Sequence, residues 1–217
     1  MKPSIAIIDY GMGNLRSVAK ALERVGAEAR VIETPADIGQ AAGLVLPGVG
    51  AFGQAMDRLM TTGFDDLCRR WVGEDRPFLG ICLGLQLLFT ESEEFGPVKG
   101  LDIVPGRVVR FTGPQYEQHD GHPGLKVPHI GWNSLRVVKD HPVTAGLPAD
   151  AMAYFVHSYY CVPDDPDWTA IITDHGLDFT SAVARGRTFA SQFHPEKSGD
   201  VGLGLLTSFL QLVGEGA

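Results

Sequence analysis

The order of apolar and polar positions divides the chain into short blocks of two alternating periods. Ser4-Ile5-Ala6-Ile7-Ile8-Asp9 is a continuous, largely β-branched run, the pattern of a strand covered on both faces in a parallel sheet. Beyond the turn at Tyr10-Gly11-Met12-Gly13, residues Leu15, Val18, Ala19, Leu22 and Val25 recur at helical spacing. Asn14 stands where it can cap that helix and Gly26 where it can stop it. Further strands are expected at 29–32, 43–46 and 78–82, and helical stretches at 52–60, 64–72 and 83–89. Strands alternating with helices predict an α/β fold built on a doubly wound, mostly parallel sheet. In such sheets ligands collect beyond the C-terminal strand ends, and 9–14, 47–50 and Cys82 all fall at that edge.

The pattern changes in the second half. Residues 103–111 and 135–138 are β-like with frequent turn signals, so an additional antiparallel hairpin layer is expected there. A polar surface loop at 112–124 interrupts it, and the run Glu91-Ser92-Glu93-Glu94 reads as a solvated loop or helix end. Residues 154–160 read as one strand with a polar tip; 169–173, 179–185 and 188–193 follow as strands. Ser198 can cap a closing helix with Val201, Leu205, Leu206, Phe209 and Val213 as its apolar stripe.

Composition narrows the classes. A chain of 217 residues suits one domain spanning 1–217. A net charge of −8 without a Lys/Arg cluster argues against nucleic acid. No apolar run is long enough to cross a bilayer, and Met1-Lys2-Pro3-Ser4 leads directly into a strand, so neither membrane nor secretory signal is expected. Three dispersed cysteines, Cys68, Cys82 and Cys161, fit a reducing compartment, hence the cytoplasm. Gly11 and Gly13 do not complete a dinucleotide fingerprint, because Arg16 takes the third glycine's place. His119 and His122 lack an acidic or cysteine partner at ligand spacing and read as an exposed loop; no metal or other cofactor is expected.

Candidate chemistry begins at Gly80-Ile81-Cys82-Leu83-Gly84, a buried strand turning into a helix with cysteine at the corner. That is the pattern of a nucleophile elbow, whose flanking glycines let strand and helix pass closely. Cys82 has two open fates: a small buried hydrophobe, or a thiolate favoured at a helix N-terminus. In His194-Pro195-Glu196, an extended backbone through proline projects imidazole and carboxylate to the same side, where the acid can fix the base's tautomer. Joined to the elbow, the pair makes a nucleophile, base and orienting acid. Oxyanion donors are expected at Leu83 N–H and within Pro47-Gly48-Val49-Gly50, at Val49 and Gly50; an ordinary tight turn is the alternative for that segment.

Gly80-Ile-Cys82-Leu-Gly84-Leu-Gln86, His194-Pro-Glu196 and Pro47-Gly-Val-Gly50 together resemble the class I (triad) glutamine amidotransferases, from the first strand to the last helix. Asp9-Tyr-Gly-Met-Gly-Asn14, Val127-Pro-His-Ile-Gly-Trp-Asn133, Phe155-Val-His-Ser-Tyr159 and Gln192-Phe-His-Pro-Glu-Lys-Ser198 point, within that family, to a subunit that supplies ammonia to a (β/α)8-barrel cyclase. The resemblance implies the flavodoxin-like fold of the family and a Cys82–His194–Glu196 glutaminase triad. It implies glutamine held by Gly50, Gln86, Glu94, Ser158 and Tyr159, and a heterodimer docked at the Cys82 edge through Asn14, His129, Trp132 and Lys197. Trp132 can equally be a core or hairpin aromatic and Lys197 a solvated lysine. A glutaminase serving a different synthase and a free-standing cysteine hydrolase of flavodoxin-like fold are the rival readings.

Overall fold

In the computed structural model, which describes residues 2–118 and 123–215, the first half of the chain alternates strand and helix. Strands β1 (Ser4–Ile8), β2 (Glu28–Ile32), β3 (Gly43–Gly48) and β4 (Phe78–Cys82) are interleaved with helices α1 (Leu15–Arg24), α2 (Phe52–Thr62) and α3 (Phe64–Gly73). The chain continues through α4 (Leu83–Gln86), β5 (Phe89–Ser92), β6 (Val98–Lys99), β7 (Val104–Arg110), β8 (His129–Ser134), β9 (Arg136–Val137), β10 (Met152–His157) and β11 (Tyr159–Pro163). It closes with β12 (Thr169–Asp174), β13 (Asp178–Arg185), β14 (Thr188–Ser191) and α5 (Gly199–Gly214).

Strands β2, β1, β3, β4 and β14 lie side by side and parallel. The sheet then turns antiparallel through β13, β11 and β7, with β5 and β6 at its far edge. Alternation along β1 assigns its two faces: Ile5 and Ile7 pack with Val18 and Leu22 of α1 and Leu205 and Phe209 of α5. Ala6 and Ile8 pack instead with Met56 of α2 and Leu67 and Trp71 of α3. Helices thus cover both faces, which is why the parallel strands are apolar throughout. Asn14 caps α1 as expected, its side chain accepting from Ser17 N at 3.4 Å. No helix among the described residues is long and apolar enough to cross a membrane.

Strands β8 and β10 form a separate antiparallel hairpin sheet, pairing His129 with His157 and Trp132 with Tyr154. The run expected as one strand over 154–160 is therefore two strands in different sheets, broken at Ser158. The elbow helix is also shorter than the expected 83–89: it ends at Gln86, and Phe89 enters β5, paired with Val104. Leu87-Leu88-Phe89 is apolar all round and carries no period, so pairing with β7 decides its conformation. The expected solvated run at 91–94 begins inside that strand for the same reason. Ser198 precedes α5, but its hydroxyl does not cap it; it donates to the His194 carbonyl and accepts from Tyr154 N. His119 and His122 lie outside the described residues.

Candidate active site

Cys82 ends β4 at φ +56°, a left-handed conformation that only a tightly constrained non-glycine residue keeps. The constraint is close packing of strand and helix. A Cβ added at Gly84 would lie 1.9 Å from the Leu46 carbonyl oxygen, and one at Gly80 would lie 2.8 Å from the Ala190 Cβ. The β3 end is packed as closely: a Cβ at Gly48 would meet the Tyr10 hydroxyl at 2.7 Å and the Leu83 Cβ at 2.9 Å. These glycines let the corner carry Cys82 to the sheet edge beside the 47–50 loop.

His194 and Glu196 come together by a different route from the extended one expected. Pro195–Lys197 forms a 3-10 turn, which curls the carboxylate back so that Glu196 Oε1 stands 2.8 Å from His194 Nδ1. Both side chains are almost fully buried. Burial alone lowers the imidazole pKa; the Cys82 sulfur and the Glu196 carboxylate overcome it and raise the pKa to about 9. Nδ1 is taken by Glu196, so the buried Nε2, without another hydrogen-bond partner, is the nitrogen left for the sulfur.

A cavity of about 330 Å³ opens over this group. Val49, Gly50, Cys82, Leu83, Gln86, Glu94, Ser158, Tyr159, His194 and Lys197 line it, so the expected glutamine-binding and oxyanion residues all border one space. Glu196 stands behind His194, as an orienting group does. Glu94 has a second engagement: its Oε2 accepts from Phe52 N at 2.6 Å, capping α2, whose own N-cap residue Ala51 cannot. Gly50 has φ +95°, and Val49 is exposed.

The docking candidates divide. Trp132 is 54% exposed and, with Ile130 and Val156, leaves an apolar stripe on the outer face of the β8–β10 hairpin. Asn14 and Lys197 are also exposed. His129 is not: it lies on the inner face, stacked between Phe155 and His175, because it alternates with Ile130 along β8. Its Nδ1 is 2.9 Å from His157 Nε2, and His157 Nδ1 is 2.8 Å from the Tyr159 carbonyl at the cavity wall.

Sequence reasoning overlooked two buried residues, one on the cavity wall and one beside the sulfur. His157 lines the cavity, and Gln192 places its Nε2 3.8 Å from Cys82 Sγ. A carboxamide closing an apolar strand two residues before the base is the signal that could have singled out Gln192.

The chain matches the family model described as glutamine amidotransferase class-I over residues 6–210. It is 56% identical, over 94% of its length and 98% of the relative's, to the imidazole glycerol phosphate synthase subunit HisH of Syntrophotalea carbinolica. It is 48% identical over 95% of its length, but only 34% of the relative's, to the chloroplastic imidazole glycerol phosphate synthase hisHF of Arabidopsis thaliana. Among solved structures, one described as a glutamine amidotransferase superposes with a TM-score of 0.73 at 23% identity, covering 97% and 98% of the two chains.

Proposed function

The chain belongs to the class I glutamine amidotransferases, and on that footing we infer that it is the glutaminase subunit of an imidazole glycerol phosphate synthase, in histidine biosynthesis. We read residues 1–217 as one amidotransferase domain, in keeping with a family match that spans nearly all of it. The observation that carries the mechanism is the sulfur of a left-handed elbow residue facing an imidazole already bound to a carboxylate.

Cys82 attacks the side-chain amide carbon of glutamine, and the tetrahedral oxyanion is held by Leu83 N–H and a donor from Val49 or Gly50. His194 passes the proton to the leaving nitrogen, ammonia departs, and water activated by the same imidazole hydrolyses the glutamyl thioester to glutamate. Glu196 holds the imidazole's tautomer and stabilises its charged form. Gln86 and Glu94, with backbone of Gly50, Ser158 and Tyr159, take the amino-acid end of glutamine. No cofactor is required.

Ammonia in neutral water is mostly ammonium and a poor nucleophile, so the product gains from a sealed passage to a second site. The partner is a (β/α)8-barrel cyclase, which makes imidazole glycerol phosphate and the ribonucleotide AICAR, docked as a heterodimer on the exposed hairpin stripe through Trp132, with Asn14 and Lys197. The buried His129 supports the face from behind. That in the Arabidopsis thaliana relative this chain matches only a third of the length accords with such a second unit. Three buried free cysteines favour a cytoplasmic setting. The test is a glutaminase assay of wild type and Cys82→Ala, each alone and mixed with the cyclase and its ribonucleotide substrate. Activity that needs Cys82 and rises in the full mixture is expected; activity surviving Cys82→Ala overturns the mechanism, and synthesis supported only by another synthase's partner overturns the assignment.

A further inference from the structure

The chemistry above leaves the Gln192 carboxamide unused, although it is fully buried and adjacent to the sulfur. Which end of an amide faces which neighbour is decided by an atom of fixed polarity, and the cavity wall supplies one. The Tyr159 carbonyl can only accept, so the Gln86 atom 3.3 Å from it is the donor Nε2. That nitrogen is also 2.9 Å from Gln192, so the atom it meets there is the acceptor Oε1. The Gln192 nitrogen is therefore the end turned to Cys82 Sγ, at 3.8 Å. The Tyr159 carbonyl is tied on its other side by His157 Nδ1 at 2.8 Å.

We propose that Gln192 is a positioning residue for the nucleophile: its amide N–H, held in one orientation by Gln86 and the Tyr159 carbonyl, donates to the Cys82 sulfur, favours thiolate over thiol and fixes the direction in which the sulfur points. A donor to the ionised form stabilises that form, and a charged acceptor makes the stronger hydrogen bond. The inference rests on Cys82 being the nucleophile, but its test does not depend on turnover.

The test is the pH dependence of Cys82 alkylation by iodoacetamide in the isolated chain, with Cys82→Ser as the blank; Cys68 and Cys161 are buried away from solvent. Gln192→Met keeps the approximate shape and removes the donor; Gln192→Glu keeps the shape and presents an acceptor to the sulfur. Alkylation midpoints are expected to rise in the order wild type, Met variant, Glu variant, the first step by about one pH unit, a tenfold loss of thiolate below the midpoint. A merely structural role for Gln192 changes melting temperature and leaves the midpoint in place. Unchanged midpoints in whichever variants fold overturn the proposal; retained glutaminase activity in Cys82→Ala would overturn the nucleophile reading while leaving this titration interpretable.

Discussion

The elbow and the β8–β10 hairpin both bury histidines against the same cavity wall, yet they hold them in opposite charge states. At the elbow, His194 is buried, but a sulfur and a carboxylate bring its pKa up to about 9. In the hairpin, burial dominates: His129 falls to about 4, with His175 adding a smaller push, and His157 to about 3 despite its bond to the Tyr159 carbonyl. The hairpin partners are neutral. Because the Tyr159 carbonyl only accepts, His157 Nδ1 carries the proton and its Nε2 accepts from His129 Nδ1. His129 Nε2 in turn accepts from Asn133 Nδ2 at 3.2 Å. Burial pushes the pKa of each ring down, and the partner decides whether that push is overcome.

The backbones differ in the same sense. A Cβ at Gly84 would strike the Leu46 carbonyl oxygen, whereas one at Gly131 in the hairpin meets nothing within 4 Å, despite its φ of +138°. Gly84→Ala is expected to cost about 4 kcal/mol or more, or to prevent folding, and Gly131→Ala only about 1–2 kcal/mol of backbone strain. Denaturant unfolding of the two variants measures the contrast, and equal losses would break it.

Glu196→Gln removes the charge that raises the His194 pKa without changing shape. A fall in glutaminase rate of about 10²-fold or more is expected, with the imidazole midpoint, followed by NMR, moving down from about 9. His129, whose shift comes from burial and His175, should not move.

The two regions also predict opposite pH limbs of stability. His194 binds its proton more tightly folded than unfolded, so its contribution is fully present below about 6.5 and disappears as pH rises through about 9. His129 and His157 bind theirs more weakly folded, so their contribution is present above about 6.5 and is lost on acidification toward about 4 and about 3. Each limb should slope by at most about 1.4 kcal/mol per pH unit per ring. Unfolding in His194→Gln should flatten the alkaline limb alone, and in His157→Gln the acid limb alone. The smallest effect on the chain itself is expected at the exposed Trp132: Trp132→Ala should change its stability by less than about 0.5 kcal/mol while weakening cyclase binding by about 2 kcal/mol or more, as calorimetry would show.

What was legible in the chain was local. The parallel half could be read because β-branched runs and capped helices declare themselves within ten residues, and the elbow because Gly80 and Gly84 flank Cys82 at fixed spacing. The relation of His194 to Glu196 was anticipated, though through an extended backbone where a 3-10 turn stands. Contacts made by pairing register were not legible. His129 read as a surface residue because nothing near it in sequence names His157, its partner across the hairpin. Gln192 meets Gln86 and Cys82 only because β14 lies beside β4, and Glu94 reaches Phe52 only once β5 has paired.

The loop between β3 and α2 is gripped at both ends: Gly48 is wedged against Tyr10 and Leu83, and Phe52 is tethered through its N–H to Glu94. A span of three residues fastened in this manner has almost no freedom to travel, but its amide planes can still swivel about fixed anchor points. Any adjustment there is one of orientation and not of reach, and a ligand that took the Glu94 carboxylate would slacken the downstream fastening.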